Sequence, residues 1–198
     1  KTMKYGVAFN PYLPQSEMEL ERQRLKLKVD TGIVSSIWLQ FGTDINTLTN
    51  ELRFINALLL EFKSKYPSNS ALVNKNVEIF GSFFIPTKKF LAAFKFRPWR
   101  GVYIKKAYLD DIEEANRFSQ NLLRCYKENG IKVLIESSLS NQKDIDSTQQ
   151  MISESTFVDF PRNSQFHNTQ IDFEKTLAND KEEIIEQQRC CKKPRHIN

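Results

Sequence analysis

Histidine, glycine and cysteine are scarce in this chain, and each scarcity removes a class of chemistry. Among 198 residues there are two histidines, six glycines and three cysteines. His167 and His196 both lie beyond Ser140, no glycine-rich phosphate loop occurs, and no pair of acids has a spacing that fixes its geometry. Hydrolytic triads, phosphate-binding loops of the Walker type and zinc sites therefore have no support. Cys125, Cys190 and Cys191 form neither an even disulfide set nor a metal-ligand spacing, and the two adjacent ones are poorly placed to bridge each other. No apolar run nears the roughly 18–20 residues that span a bilayer. The opening KTMKYGVAFN runs straight into a strand-like pattern without a signal-peptide layout. These absences fit a reducing, cytoplasmic setting with no membrane partner and no metal.

What is present is one core's worth of apolar residues, 40% of the chain, and a basic balance of +5. The charge is uneven: up to Ser140 there are 21 Lys and Arg against 14 Asp and Glu, whereas the remainder holds 8 against 10. A positive field over the structured part suits phosphates, polyglutamate tails or nucleic acid, and equally describes a solvated lysine-rich surface.

Periodicity then orders the chain. YGVAF at Tyr5–Phe9 reads as a short strand, and NPYLP breaks regular structure. Ser16 to Thr31 reads as a helix capped by Ser16 and stopped at Gly32, and Ser35 to Phe41, SSIWLQF, as the second strand. Thr47 to Lys65 carries Leu48, Leu52, Ile55, Leu58, Leu59 and Phe62 on one helical stripe. Val77 to Ile85 is a strand apolar on both faces, followed by a short helix from Pro86 to about Phe96. A helix from about Leu109 to Glu128, stopped by Asn129-Gly130, leads to a fourth strand, Ile131 to Ile135. Four strands separated by helices specify repeated βαβ units, hence a parallel sheet with right-handed crossovers. Residues 141–198 turn polar and read as a poorly structured tail with one helix, Asp172 to Gln188.

The order of these segments over about residues 3–140 resembles the C-terminal half of the methylenetetrahydrofolate reductase family. VAFNP is similar to that family's fifth strand, ERQRLKLKVDTG to the helix after it, and SSIWLQFGTD to the sixth strand with its Gln-Phe and trailing Asp. VEIFGSFFIPTKKF and YKENGIKVLIESSL are similar to the seventh strand and to the last helix and strand. The resemblance implies a partial (β/α)8 barrel, with FAD as cofactor, NAD(P)H as hydride source and a folate as substrate. It implies flavin-dependent reduction of methylenetetrahydrofolate to methyltetrahydrofolate in one-carbon metabolism. By the same resemblance Asn10, Glu21, Arg24 and Lys28 would approach the flavin dinucleotide, Gln40 would read the pterin, and Phe96 would stack on folate or nicotinamide. Glu21, Arg24 and Lys28 share a helical face at i, i+3, i+7. The same three also read as an intrahelical ion-pair run, Asn10 as a turn asparagine and Gln40 as a structural amide.

The chain departs from that pattern at Ala92, where the family has a second folate-contacting glutamine, at Asn141, where an arginine follows the last strand, and at Pro14, where a histidine stands. The family's proton-donating glutamate lies on strands outside this half, so no catalytic residue is named here. Glu78 and Glu136 are the strand carboxylates able to face a barrel interior. Four strands leave two open edges, which calls for a missing barrel half or a second copy. A reading of another class, a non-catalytic binding module for nucleic acid or another polyanion, rests on FKFRPWRGVYIKKAY, Phe94 to Tyr108, where aromatics and cations alternate. Its alternative is a connecting loop whose aromatics pack while its charges stay wet, and that makes nucleic acid the weaker partner.

Overall fold

The computed structural model describes residues 3–66, 77–137, 139 and 141–157, which belong to one compact unit. The helix expected at Asp172 to Gln188, and both histidines, lie outside the described residues. Four strands, β1 (Tyr5–Phe9), β2 (Val34–Leu39), β3 (Glu78–Phe83) and β4 (Lys132–Ile135), pair in parallel in the order β1-β2-β3-β4. Between them run α1 (Gln15–Asp30), α2 (Ile45–Lys65), then α3 (Lys88–Phe96), α4 (Lys106–Asp110) and α5 (Ile112–Glu128).

Strand alternation sends Phe9, Ile37, Leu39 and Phe83 to one face, where all are buried under Met18, Leu25 and Val29 of α1, Leu48, Leu52 and Ile55 of α2, and Leu122 and Tyr126 of α5. The opposite face carries Gly6, Ala8, Ser36, Trp38, Phe80 and Ser82, and Trp38 is 39% exposed there. Sequential parallel strands with helices against one face are the layout of a singly wound barrel; a doubly wound sheet would be covered on both. The fold is therefore α/β, half of a (β/α)8 barrel, as the pattern of segments predicts. The exposed face corresponds to a barrel interior.

Close fits fix the layers. A Cβ at Gly81 would overlap the Tyr126 ring, so only glycine lets α5 sit this near β3, and the Tyr126 hydroxyl donates to Ser82 O at 3.0 Å. Between α1 and α2, Arg22 lies over Phe54 and grips the buried Glu51 carboxylate with Nε at 2.9 Å and Nη2 at 2.5 Å. That bond and the favourable neighbouring charge raise the Arg22 pKa against the opposing effect of burial.

Several boundaries differ from the sequence reading, each for a local reason. Pro14, not Ser16, stands at the N-cap of α1 and offers no side-chain bond, leaving Pro14 O to accept from Glu17 N and Met18 N. Gly32 does stop that helix, at φ +73°. β2 ends at Leu39, one residue before Gln40. The segment before α5 holds a separate turn of helix, α4, because Asp111 breaks it and caps α5 by accepting from Glu113 N at 2.8 Å. Residues 142–157, which the polar composition assigns to the tail, form α6 (Gln142–Phe157), with Thr148 buried and Met151 and Ile152 against the core. Asn141 starts it, its Oδ1 accepting from Asp144 N at 3.0 Å. No helix among the described residues is long and apolar enough to cross a membrane.

Candidate functional site at the sheet exit

The C-terminal ends of the strands open into a cleft of about 300 Å³ lined by Ala8, Phe9 and Asn10 from β1 and its exit, Glu21 from α1, Trp38, Leu39 and Gln40 from β2 and its exit, Ser82 from β3, and Glu136 after β4. Ligand pockets run from roughly 300 to 1,000 Å³, so this one has room for a small bicyclic ring system rather than a long extended ligand. Its location is where parallel α/β sheets place their chemistry.

Two short extensions of the ladder set the polar groups. Gln40 N donates to Phe9 O at 3.0 Å and Glu136 N to Phe83 O at 3.0 Å, so each residue is held as if the strand continued. Gln40 folds its side chain back so that Oε1 accepts from Phe41 N at 2.9 Å. Gln40 lines the cleft, and its Nε2 carries two N–H groups able to donate to a ligand there. Ser82 donates its hydroxyl to Glu136 Oε1 at 2.6 Å. Trp38 supplies an apolar wall: its ring stacks on Phe80 at 4.6 Å and 15°, and Nε1 is tied to Ser36 Oγ at 2.9 Å. A Cβ at Gly6 would strike that indole, so glycine there makes room for the ring.

The four residues expected beside a flavin divide into two kinds. Asn10 and Glu21 line the cleft, yet their polar atoms hold the loop after β1: Asn10 Oδ1 accepts from Tyr12 N at 3.1 Å, Nδ2 donates to Gly101 O at 2.8 Å, and Glu21 Oε1 accepts from Asn10 N at 3.2 Å. Arg24 stands 3.7 Å from Glu21 with its side chain 58% exposed, and Lys28 Nζ reaches Ala8 O at 3.4 Å. Neither cation is among the residues that line the cleft, although each reaches one that does, Arg24 to Glu21 and Lys28 to Ala8. Phe96 is 92% exposed at the end of α3 and does not line the cleft. Ala92 is exposed on α3 as well.

Sequence reasoning named Glu136 beside Glu78 as strand acids able to face a barrel interior. The structure separates those acids: Glu136 lines the cleft, while Glu78 pairs with Lys132 away from it, and the Lys132 bond holds its carboxyl below the usual range. Ser82 was missed. Its only signal is the two-residue alternation of β3, which puts Glu78, Phe80 and Ser82 on the exposed face.

The basic-aromatic segment is tied to the scaffold. Trp99 packs edge-on against Phe84, Phe90 and Phe94, Tyr103 O accepts from Thr43 N at 3.0 Å, and Lys95 and Lys105 pair with Asp110 and Asp44. Most of its aromatics are thus used in packing, as in the connecting-loop reading. Among the described residues no group of three or more His, Cys, Asp or Glu is gathered as metal ligands would be.

No family model matches the sequence, and no curated protein matches it. Among solved structures, this chain is similar to an uncharacterized protein from Clostridium thermocellum that binds two copies of 5-methyl-5,6,7,8-tetrahydrofolic acid. The TM-score is 0.50 at 16% identity, over 79% of this chain and 55% of that one. At that identity the likeness concerns the fold, and this chain spans just over half of the length of the protein it matches.

Proposed function

We propose that this chain binds a reduced folate through its pterin ring in the cleft at the sheet exit, as one half of a barrel of the methylenetetrahydrofolate reductase type. The observation that carries the reading is the Gln40 amide, which lines the cleft just past the end of β2 with its oxygen held by Phe41 N, beside the aromatic wall that Trp38 supplies. A pterin is planar, offers a carbonyl acceptor and ring N–H donors, and suits a wall of that kind. The solved structure of similar fold, which binds a methylated tetrahydrofolate, supports the same ligand class.

The finer proposal is flavin-dependent reduction of methylenetetrahydrofolate, with NAD(P)H as the source of reducing equivalents. Arg24, exposed, and Lys28, half-buried, are cations on α1 that contact the cleft-lining Glu21 and Ala8 and suit the diphosphate of FAD, and Asn10 and Glu21 shape the loop after β1. FAD when bound supplies the hydride chemistry; this chain's share is to hold the diphosphate with Lys28 and Arg24 and to orient the pterin with Gln40. Calorimetric titration with 5-methyltetrahydrofolate tests the binding. The expected result is saturable uptake that weakens about tenfold in Gln40→Ala, the loss of one hydrogen bond. Heat indistinguishable from dilution, or equal affinity in the variant, would contradict it. FAD retention that drops in Lys28→Glu is the corresponding result for the flavin.

A further inference from the structure

The carboxylate in the cleft has no role in the reading above. Glu136 is fixed from two sides: its backbone N–H extends the β3–β4 ladder to Phe83 O, and Oε1 accepts the Ser82 hydroxyl at 2.6 Å. Ser82 is in turn buried and anchored, since its own carbonyl accepts from the Tyr126 hydroxyl at 3.0 Å. A carboxylate has about four acceptor positions, so one bond from Ser82 leaves Oε2 and a lone pair of Oε1 for a ligand. Leu39 pairs with Gly81 and Ser82 with Leu134, so Gln40, Ser82 and Leu134 stand at one level across the sheet, and Glu136 lies two residues further on, just past the end of β4. Gln40 and Glu136 are therefore two strand spacings apart across the sheet and two residues apart along it, about 12 Å at the backbone, and both line the same cleft.

One side of the cleft thus only accepts and the other donates. We propose that Glu136, oriented by Ser82, determines which ring edge the cleft takes: it selects heterocycles with two adjacent N–H donors beside a carbonyl, the 2-amino-4-oxo edge of a pterin. Glu136 accepts from the exocyclic amine and the neighbouring ring N–H. Gln40 Nε2 donates to the carbonyl next to them. Trp38 lies along the ring. A dioxo ring, with an oxygen in place of the amine, sets a lone pair against the carboxylate and is disfavoured by that repulsion, although Glu136 itself is exposed until a ligand covers it. This rests on the folate reading and adds to it a specificity residue and a positioning residue.

The test compares pterin (2-amino-4-oxopteridine) with lumazine (2,4-dioxopteridine) as competitors of 5-methyltetrahydrofolate on the full chain. The wild type is expected to prefer pterin by about tenfold or more, in line with a charge-assisted pair of bonds. In Glu136→Gln, whose amide can turn either way, that preference falls close to one. In Ser82→Ala it shrinks part of the way, with the fold unchanged by circular dichroism. A ratio in Glu136→Gln equal to the wild type's, with 5-methyltetrahydrofolate still bound, overturns the role of Glu136 and leaves folate binding standing. A wild type that binds neither 5-methyltetrahydrofolate nor pterin overturns both.

Discussion

At the scale of single residues, the site and the core are made by groups whose polar atoms have been assigned one task each. Asn10 is used up in turning the chain after β1, whereas Gln40, which lines the cleft, commits its oxygen to Phe41 N and carries two N–H groups able to donate to a ligand. The buried tyrosines differ: Tyr126 donates its hydroxyl to Ser82 O, whereas the Tyr12 hydroxyl is buried without a hydrogen-bond partner. Tyr12, Tyr108 and Tyr126 are all buried, and burial is the leading cause that raises their hydroxyl pKa values, Tyr108's to about 12. A raised folded-state value stabilises the fold fully below the ordinary tyrosine range and loses that contribution as pH rises through the folded value. In alkaline titration followed near the tyrosinate band, these three hydroxyls should lag and ionise together with loss of the far-ultraviolet circular dichroism. Complete ionisation of all six tyrosines near pH ~10 with the fold intact would contradict their burial. The position of Gln40 near the end of a strand was legible in the sequence because SSIWLQF reads as a strand. The partner of Glu136 was not, because Ser82 lies 54 positions away and only the β3–β4 register joins them.

At the scale of elements, the strands and the helices between them could be read from periodicity, caps and stops, whereas α6 could not. The leucine stripe of α2 buries Leu48, Leu52, Ile55 and Leu58 as its spacing predicts. α6 is polar enough to pass for a tail, since only a few of its residues, Thr148 among them, meet the core. The α1–α2 contact also escapes local reasoning: Arg22 and Glu51 are 29 positions apart and become neighbours only when both helices pack on the same sheet face. Removing one partner leaves a buried charge without compensation, which costs about 3 kcal/mol. Arg22→Ala should therefore lower the unfolding free energy measured by urea titration by about that amount, and Arg22→Met combined with Glu51→Leu should recover most of it. A single variant as stable as the wild type would show that the pair does not join the helices.

At the scale of the whole molecule, four parallel strands with helices on one face make a half-barrel whose inner surface, with Trp38 and Phe80 stacked on it, lies open beside the cleft. That architecture was legible because repeated βαβ units admit few topologies. The open face is also what makes the functional account measurable. The chain has two tryptophans, Trp38 in the cleft and Trp99 in the aromatic cluster after α3. In Trp99→Phe, emission comes from Trp38 alone, and 5-methyltetrahydrofolate added to that variant should quench it along a saturable curve that Gln40→Ala shifts to higher concentration. Emission that stays constant, or declines only in proportion to added ligand, would contradict a pterin lying against Trp38.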